Sequence, residues 1–218
     1  MPLPTVCRYV SRAAPWLVAL TVLAGCAAPP LKPAPVSVSQ STARIRSFEL
    51  SGRIAVKQAE TGHYGNIRWQ RNGSMHHIDL LSPLGQVATR ILRDGHGYQL
   101  TTSDQRVFQA EHGEALMRAV LGYALPIEGL EFWVLGQPAP ASPAQQQWSS
   151  EGYLARLHQD GWDIEYANYT QVEGMALPGR LVLKRGDLEV KLAIDHWRLG
   201  GVADSNPPER MAVPEGGK

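Results

Sequence analysis

Several histidines and aspartates lie close enough in the sequence to suggest a metal or acid–base site. His76, His77 and Asp79 fall together, and on a strand His77 and Asp79 would share one face. Further candidate ligands are His158, Asp160, Asp195 and His196. None of them forms a recognised metal-ligand spacing, and the alternative is that they are solvent-facing polar residues of half-buried strands. Because phosphate loops, Gly-x-Ser-x-Gly elbows and Cys/His pairs are also missing, the sequence predicts neither an enzyme nor a metal or cofactor site.

The N-terminal segment is typical of a signal peptide. Arg8 and Arg12 are its only charges, and the apolar run over residues 13–22 is too short to span a bilayer as a helix. The following Leu23-Ala24-Gly25-Cys26 resembles a lipobox, in which the cysteine is acylated after cleavage. Residues 1–25 are therefore predicted to be removed and Cys26 to be lipidated. The alternative is an ordinary secretory signal followed by an incidental cysteine.

Cleavage before Cys26 would change both the cysteine content and the charge. Cys7 would be lost, so Cys26 would be alone and no intramolecular disulfide could form. Loss of two arginines reduces the 21 Lys and Arg residues to 19, against 20 Asp and Glu, and a nearly neutral chain is not expected to bind nucleic acid. Ala27 follows the cysteine, whereas an aspartate at that position resembles an inner-membrane retention signal. The expected location is the periplasmic face of the outer membrane.

The rest of the chain divides into a tether, a body and a tail. Residues 26–41 carry the lipidated cysteine and a proline- and serine-rich stretch without helical period, which predicts an extended, flexible tether. Residues 42–199 are predicted to form one domain of about 160 residues with a sizeable core. Residues 200–218 are rich in glycine and proline and are predicted to be disordered.

A period-two pattern dominates the body and predicts strands. Phe48, Leu50, Ile54 and Val56 alternate with polar residues, as on a strand with one apolar face. The same pattern between turn signals predicts further strands at 64–71, 75–81, 86–93, 98–102, 106–110, 153–159, 162–169, 181–185 and 188–197. Between residues 114 and 136 apolar residues recur at helical spacing on both sides of Pro126, which predicts two short helices. The expected fold is one curled antiparallel sheet whose interior can hold a cavity.

The segment Ser82-Pro83-Leu84-Gly85 predicts a tight turn between two strands. Proline and glycine favour the reversal, and they place Leu84, a large apolar residue, where a polar one is expected. Leu84 could fold back onto the sheet. On a membrane-tethered protein an exposed leucine could instead insert into the lipid bilayer.

The chain resembles the LolB family of outer-membrane lipoprotein receptors over essentially its whole length. The resemblance is carried by the lipobox, the Ser-Pro-Leu-Gly turn, Leu-Pro-Ile-x-x-Leu-x-x-Trp-Val-Leu-Gly at 125–136, Gly-Trp-x-Ile-x-Tyr at 161–166, Leu177-Pro178 and the closing strand near Trp197. It implies a mainly β fold with short helices, a single incomplete, unclosed antiparallel β-barrel of about ten or eleven strands with helices capping an apolar cavity. The tail after Leu199 is longer than the resemblance implies.

The resemblance also implies a function. Such a receptor accepts lipoproteins from a LolA-like periplasmic carrier, binds their acyl chains and inserts them into outer-membrane lipid, with a monomer as the default state. Cys26 is then the anchor, and Pro83, Leu84 and Gly85 form the membrane insertion loop. The alternation of apolar residues predicts the lining of the acyl-chain cavity: Phe48, Leu50, Ile54, Val56, Ile67, Trp69, Ile91, Leu116, Val120, Leu130 and Trp133.

Three alternatives stay open at this point. A carrier of another lipid or apolar ligand would use the same cavity without needing an exposed Leu84. An envelope hydrolase would use the histidines and aspartates, and an assembly scaffold would have a filled interior. The tryptophans do not separate these functions, because each can fill a core as readily as line a pocket: Trp69, Trp133, Trp148, Trp162 and Trp197.

Overall fold

The computed structural model describes residues 42–200, in which thirteen strands and two helices are defined. The strands are β1 (Ser47–Gln58), β2 (Thr61–Asn72), β3 (Met75–Leu81), β4 (Val87–Asp94), β5 (Gly97–Thr102), β6 (Val107–Ala110), β7 (Ala144–Trp148), β8 (Leu154–Gln159), β9 (Trp162–Ala167), β10 (Thr170–Val172), β11 (Met175–Leu177), β12 (Arg180–Arg185) and β13 (Leu188–Leu199). The helices are α1 (Gly113–Leu121) and α2 (Ile127–Trp133). Both helices lie in the chain between β6 and β7.

Eleven of the strands form one antiparallel sheet in the order β6-β5-β4-β3-β2-β1-β13-β12-β9-β8-β7. The edge strands β6 and β7 do not pair with each other, so the sheet is not closed into a barrel. Strands β10 and β11 form a separate hairpin. The predicted fold, an unclosed antiparallel barrel of about eleven strands with short helices, is confirmed.

The alternation of side chains gives the sheet an apolar inner face. On β1, Phe48, Leu50 and Val56 are buried, whereas Arg53 and Lys57 are exposed. Neighbouring strands continue the same face, since Leu50 pairs with Trp69 on β2 and with Trp197 on β13. The register of β1 and β13 shifts between Ser51 and Gly52, where a Cβ on Gly52 would collide with the carbonyl oxygen of Ala193. The long strands thus bend around one core.

The two helices cover the inner face. Helix α1 buries Leu116 and Met117 and ends at Gly122, whose φ of 83° requires the left-handed region that glycine adopts without strain. Pro126 separates the helices, because the residue before a proline is disfavoured in helical conformation. Helix α2 then buries residues on most of its circumference, among them Leu130 and Trp133.

Three details differ from the sequence-based expectation. Strand β7 was not predicted, because as an edge strand it carries exposed glutamines on both faces and shows no alternation. The strand predicted over residues 162–169 ends at Ala167, since Asn168 takes a φ of 56°. The hairpin of β10 and β11 has strands of three residues each, too short for a periodic signal.

Several predictions concern parts of the chain outside the described residues. These are the signal peptide over 1–25, lipidation of Cys26, the tether to residue 41 and the tail beyond residue 200. Within residues 42–200 no helix is both long and apolar enough to cross a bilayer.

Candidate functional site

The predicted cavity residues on the strands share the inner face of the sheet, and those on the helices pack with them in the same interior. Nine of the eleven are buried in one hydrophobic cluster, and Ile54 and Val120 are half-buried and packed against it. The cluster also includes Leu181, Leu183, Val190 and Leu192 from strands on the far side of β1. The inner face is therefore apolar over most of the width of the sheet, and side chains from the strands and both helices fill it.

A pocket opens at one end of this interior. It has a volume of about 400 Å³ and is lined by Val56, His63, Leu121, Tyr123, Asp187 and adjoining residues. Its walls are the β1–β2 hairpin, the segment after α1 and the β12–β13 turn. Val56 belongs both to the lining of this pocket and to the buried cluster, so the pocket borders the apolar interior.

The β3–β4 turn lies at the same end of the sheet as that opening. Leu81, the last residue of β3, pairs with Asn66, and β2 extends beyond this point to Thr61 in the β1–β2 hairpin. The turn is closed by the Gly85 N–H, which donates to the Ser82 carbonyl at 2.8 Å, and Gly85 has a φ of 84°. Pro83 fits the second position of such a turn. Leu84 at its tip is 88% exposed.

A cluster of charged side chains is buried beneath α2. The Glu131 carboxylate lies 2.9 Å from His76 Nε2, 3.1 Å from Arg93 Nη1 and 3.8 Å from Arg71 Nη2. Arg71 Nη1 also donates to the Glu131 carbonyl at 3.3 Å. Burial acts to raise the pKa of Glu131, but His76, Arg71 and Arg93 outweigh it and hold the pKa below its ordinary value. The cluster joins α2 to β2, β3 and β4.

His76 takes a structural position in this cluster. The Trp69 Nε1–H donates to His76 Nδ1 at 3.3 Å, which assigns the ring proton to Nε2, facing Glu131. Its side chain is 1% exposed. The interpretation of His76 as a solvent-facing residue is therefore wrong. It lies in phase with Ile78 and Leu80 on the inner face, whereas His77 and Asp79 lie on the outer face.

The other candidate ligands are dispersed, most of them at the surface, although Asp79 itself is only 5% exposed. Asp79 accepts two hydrogen bonds from Arg90, at 2.7 and 3.1 Å, and lies 3.2 Å from His77. Burial acts to raise the pKa of Asp79, but Arg90 and His77 together lower it. His158 pairs with Asp163 at 2.8 Å, and Asp195 with Arg53 at 3.0 Å. Across residues 42–200 no group of three or more His, Cys, Asp or Glu side chains is placed to hold a metal ion.

A buried glutamine fixes the far end of α2, and the sequence did not point to it. Gln159 Oε1 accepts from Trp133 Nε1 at 2.9 Å and from the Ala139 N–H at 2.8 Å, while its amide nitrogen donates to the carbonyls of Ala139 and Ser142. The sequence did contain one signal for it. Like Glu131, Arg71 and Arg93, Gln159 is a polar residue that falls on the same face of its element as apolar neighbours.

The fold is similar to that of two solved structures of low sequence identity. A LolA superfamily protein from Nitrosomonas europaea gives a TM-score of 0.52 at 11% identity, covering 77% of this chain and 94% of that chain. A DUF1329 family protein from Desulfovibrio piger gives 0.56 at 7% identity, covering 76% and 90%. The chain therefore shares its overall fold, an open antiparallel sheet with two short helices, with both of these proteins.

Sequence comparison assigns the family within that fold. A family model described as outer membrane lipoprotein LolB matches residues 46–197, and the chain belongs to this family. It is 36% identical over 188 residues to the outer-membrane lipoprotein LolB of Nitrosomonas europaea, covering 82% of this chain and 89% of the relative. It is 36% identical over 193 residues to that of Nitrosococcus oceani, covering 84% and 96%. The protein is a lipid-anchored outer-membrane receptor of the Lol lipoprotein-localisation system, not an enzyme.

Proposed function

We propose that this receptor accepts lipoproteins from a LolA-like periplasmic carrier, binds their acyl chains between the inner face of the sheet and its helices, and inserts them into the outer membrane. Cys26 anchors the receptor, and the loop of Pro83, Leu84 and Gly85 contacts the membrane. The observation that carries the proposal is that a pocket bordering the apolar interior lies at the same end of the sheet as the exposed Leu84.

The apolar interior suits an acyl chain because of the large free energy of exposing such a chain to water. Each CH₂ removed from water contributes about 0.8 kcal/mol, so a client with several chains needs a continuous apolar surface during transfer. The inner face provides one from β5 to β12. Transfer needs no ATP if the receptor binds these chains slightly more tightly than the carrier does. A difference of about 1.4 kcal/mol in binding free energy shifts the distribution of the client between the two proteins tenfold.

Helix α1 is the element that moves aside for the acyl chains. Its ion pairs are on the surface, where Glu114 pairs with Arg118 and Arg185. Its link to α2 is one hydrogen bond at its N-terminus, from the Gly113 N–H to the Glu128 carboxylate at 2.6 Å. The segment that follows it, Leu121 to Tyr123, borders the opening of the interior. Displacement of α1 therefore extends the opening along Val56 into the core. Helix α2 stays in place, because Glu131 and Trp133, both in its C-terminal half, bind it to the sheet through His76 and Gln159.

The test follows a labelled lipoprotein from the purified carrier to the mature chain carrying Cys26→Ala, without ATP, and then to vesicles. With an unchanged loop, the chain should both accept the client from the carrier and deliver it to the vesicles. Leu84→Glu should accept the client but lose most of the delivery to vesicles, because a charged tip does not enter lipid. Met75→Glu is the matched control, since Met75 is 56% exposed at the opposite end of β3 and should deliver normally. If the folded Cys26→Ala chain with an unchanged loop does not take up the client, the proposal is contradicted.

A carrier of another lipid is the second candidate, because the same inner face would bind any long apolar ligand. Such a carrier has no need of a membrane-inserting tip. Normal delivery by the Leu84→Glu variant, with retained binding of a fluorescent fatty acid, would favour this alternative.

A further inference from the structure

A groove lies on the outer face of the sheet, where the side chains of Arg53, Lys191 and Ala193 face away from the buried cluster. It has a volume of about 780 Å³ and crosses β2, β1, β13 and β12. Its lining contains three cationic side chains, Arg53, Arg180 and Lys191, against one acid, Asp195. The groove therefore carries an excess of positive charge on a nearly neutral protein.

The sheet register brings the three cations together around a shallow floor. Arg53 pairs with Ala193 on β13, and Ala193 pairs with Arg180 on β12, so the two arginines flank a single methyl group. Adjacent strands are about 4.8 Å apart, which separates their Cα atoms by roughly 10 Å. Lys191 lies two residues from Ala193 on the same face. This spacing allows two guanidinium groups to converge on one phosphate.

These cations are available to an external anion. Arg180 is exposed and has no acidic partner among residues 42–200. Arg53 pairs with Asp195, but their side chains are 68% and 44% exposed, and such pairs are weak. Lys191 pairs with Glu189 at 2.6 Å, also at the surface. Neutral hydrogen-bonding side chains, Asn66 and Thr170 among them, complete the lining.

The groove adjoins the apolar tip proposed to enter the membrane. Pro83 is part of its wall and precedes Leu84 in the β3–β4 turn. Tyr64, which also lines the groove, is 77% exposed, and exposed tyrosines are enriched at the headgroup level of membranes. An apolar tip beside an aromatic ring and a cationic groove is the arrangement of an interfacial membrane-binding surface.

We propose that this groove binds the phosphate headgroup of an anionic phospholipid while Leu84 is inserted into the bilayer, and so orients the receptor with its opening towards the membrane. The inference rests on the proposed role of Leu84 as the membrane tip. It adds a headgroup site, Arg53, Arg180 and Lys191, and a preference for anionic membranes.

The test measures binding of the mature Cys26→Ala chain to vesicles of phosphatidylethanolamine with and without phosphatidylglycerol. The double variant Arg180→Gln, Lys191→Gln should bind the anionic vesicles about tenfold more weakly, since each cation near such a surface contributes a few-fold in affinity. Binding to purely zwitterionic vesicles should be unchanged. The matched control is Arg156→Gln, Arg198→Gln, which removes two exposed cations outside the groove and should retain the preference.

The possible outcomes separate this inference from the proposed function. Equal loss of binding in the groove variant and in the control would show a general charge effect and overturn the headgroup site. If inorganic phosphate at constant ionic strength abolishes vesicle binding, the groove binds the free anion. That result would also overturn the headgroup site. Client transfer from the carrier in solution should be normal in the groove variant, so a failure of that step concerns the proposed function alone. An unchanged melting temperature verifies that the variants are folded.

Discussion

The two helices on the inner face are held in different ways. Helix α2 contributes Glu131 to a buried cluster with His76, Arg71 and Arg93, and its Trp133 donates to the buried Gln159. Helix α1 packs Leu116 and Met117 inward, but its ion pairs, Glu114 with Arg118 and Arg185, involve side chains that are 31–65% exposed. Buried ion pairs are costly to break and surface pairs contribute little. The difference supports the proposal that α2 is part of the wall and α1 is the movable cover.

Removal of the Glu131 charge should have the largest effect. Glu131→Gln leaves the buried Arg71 and His76 and the half-buried Arg93 without a carboxylate and should lower the free energy of unfolding by about 3–5 kcal/mol. Urea denaturation measures the loss. The matched change in α1, Glu114→Gln, should cost less than about 1 kcal/mol. Equal losses in the two variants would remove the distinction between the helices.

Disruption of the second contact of α2 should give the second-largest loss of stability. Gln159→Leu leaves the Trp133 N–H and the backbone groups of Ala139 unsatisfied in the core, at a cost of about 2–3 kcal/mol in unfolding free energy. Gln147→Leu, on the exposed edge strand, is the control and should change stability very little. A similar small change at Gln159 would mean that α2 does not depend on this network.

The depressed pKa of Glu131 makes its contribution dependent on pH. A carboxylate whose pKa is lower in the folded state stabilises fully above the unfolded value, about 4.3, and this stabilisation is lost as the pH falls through the folded pKa. The difference in unfolding free energy between wild type and Glu131→Gln should therefore shrink below about pH 4. Denaturation at a series of pH values measures it, and a difference independent of pH would contradict the assigned charge state.

The smallest effect is expected where α1 meets the sheet. Arg185→Gln removes the contact to Glu114 at 2.9 Å and the stacking over Trp162 at 4.6 Å, and should cost about 1 kcal/mol. Hydrogen exchange should become faster in α1 and stay unchanged in α2. Faster exchange in both helices would show that they open as one unit.

Sequence periodicity was sufficient to predict the strands with one buried face, such as β1 and β3, because burial of that face requires apolar residues at alternate positions. It failed for β7, where Gln145 and Gln147 are solvated and nothing selects a face. The same limit applies to the site. Leu84 stands out as an apolar residue between turn formers. Glu131 and Gln159 share only a phase with apolar neighbours, and the sequence does not show which partners the tertiary structure brings to them. Arg71, His76 and Arg93 were in phase with apolar neighbours, a signal that points to buried charge.

The most direct test of the account uses a client lipoprotein with a photoreactive acyl chain, transferred from the carrier to the receptor and crosslinked there. Mass spectrometry then locates the attachment sites. An acyl-chain site between the sheet and its helices predicts crosslinks on the inner face and at its opening, near Val56, Ile67 and Leu121. Crosslinks confined to the outer face, around Ala193 and Arg180, would contradict an acyl-chain site between the sheet and its helices.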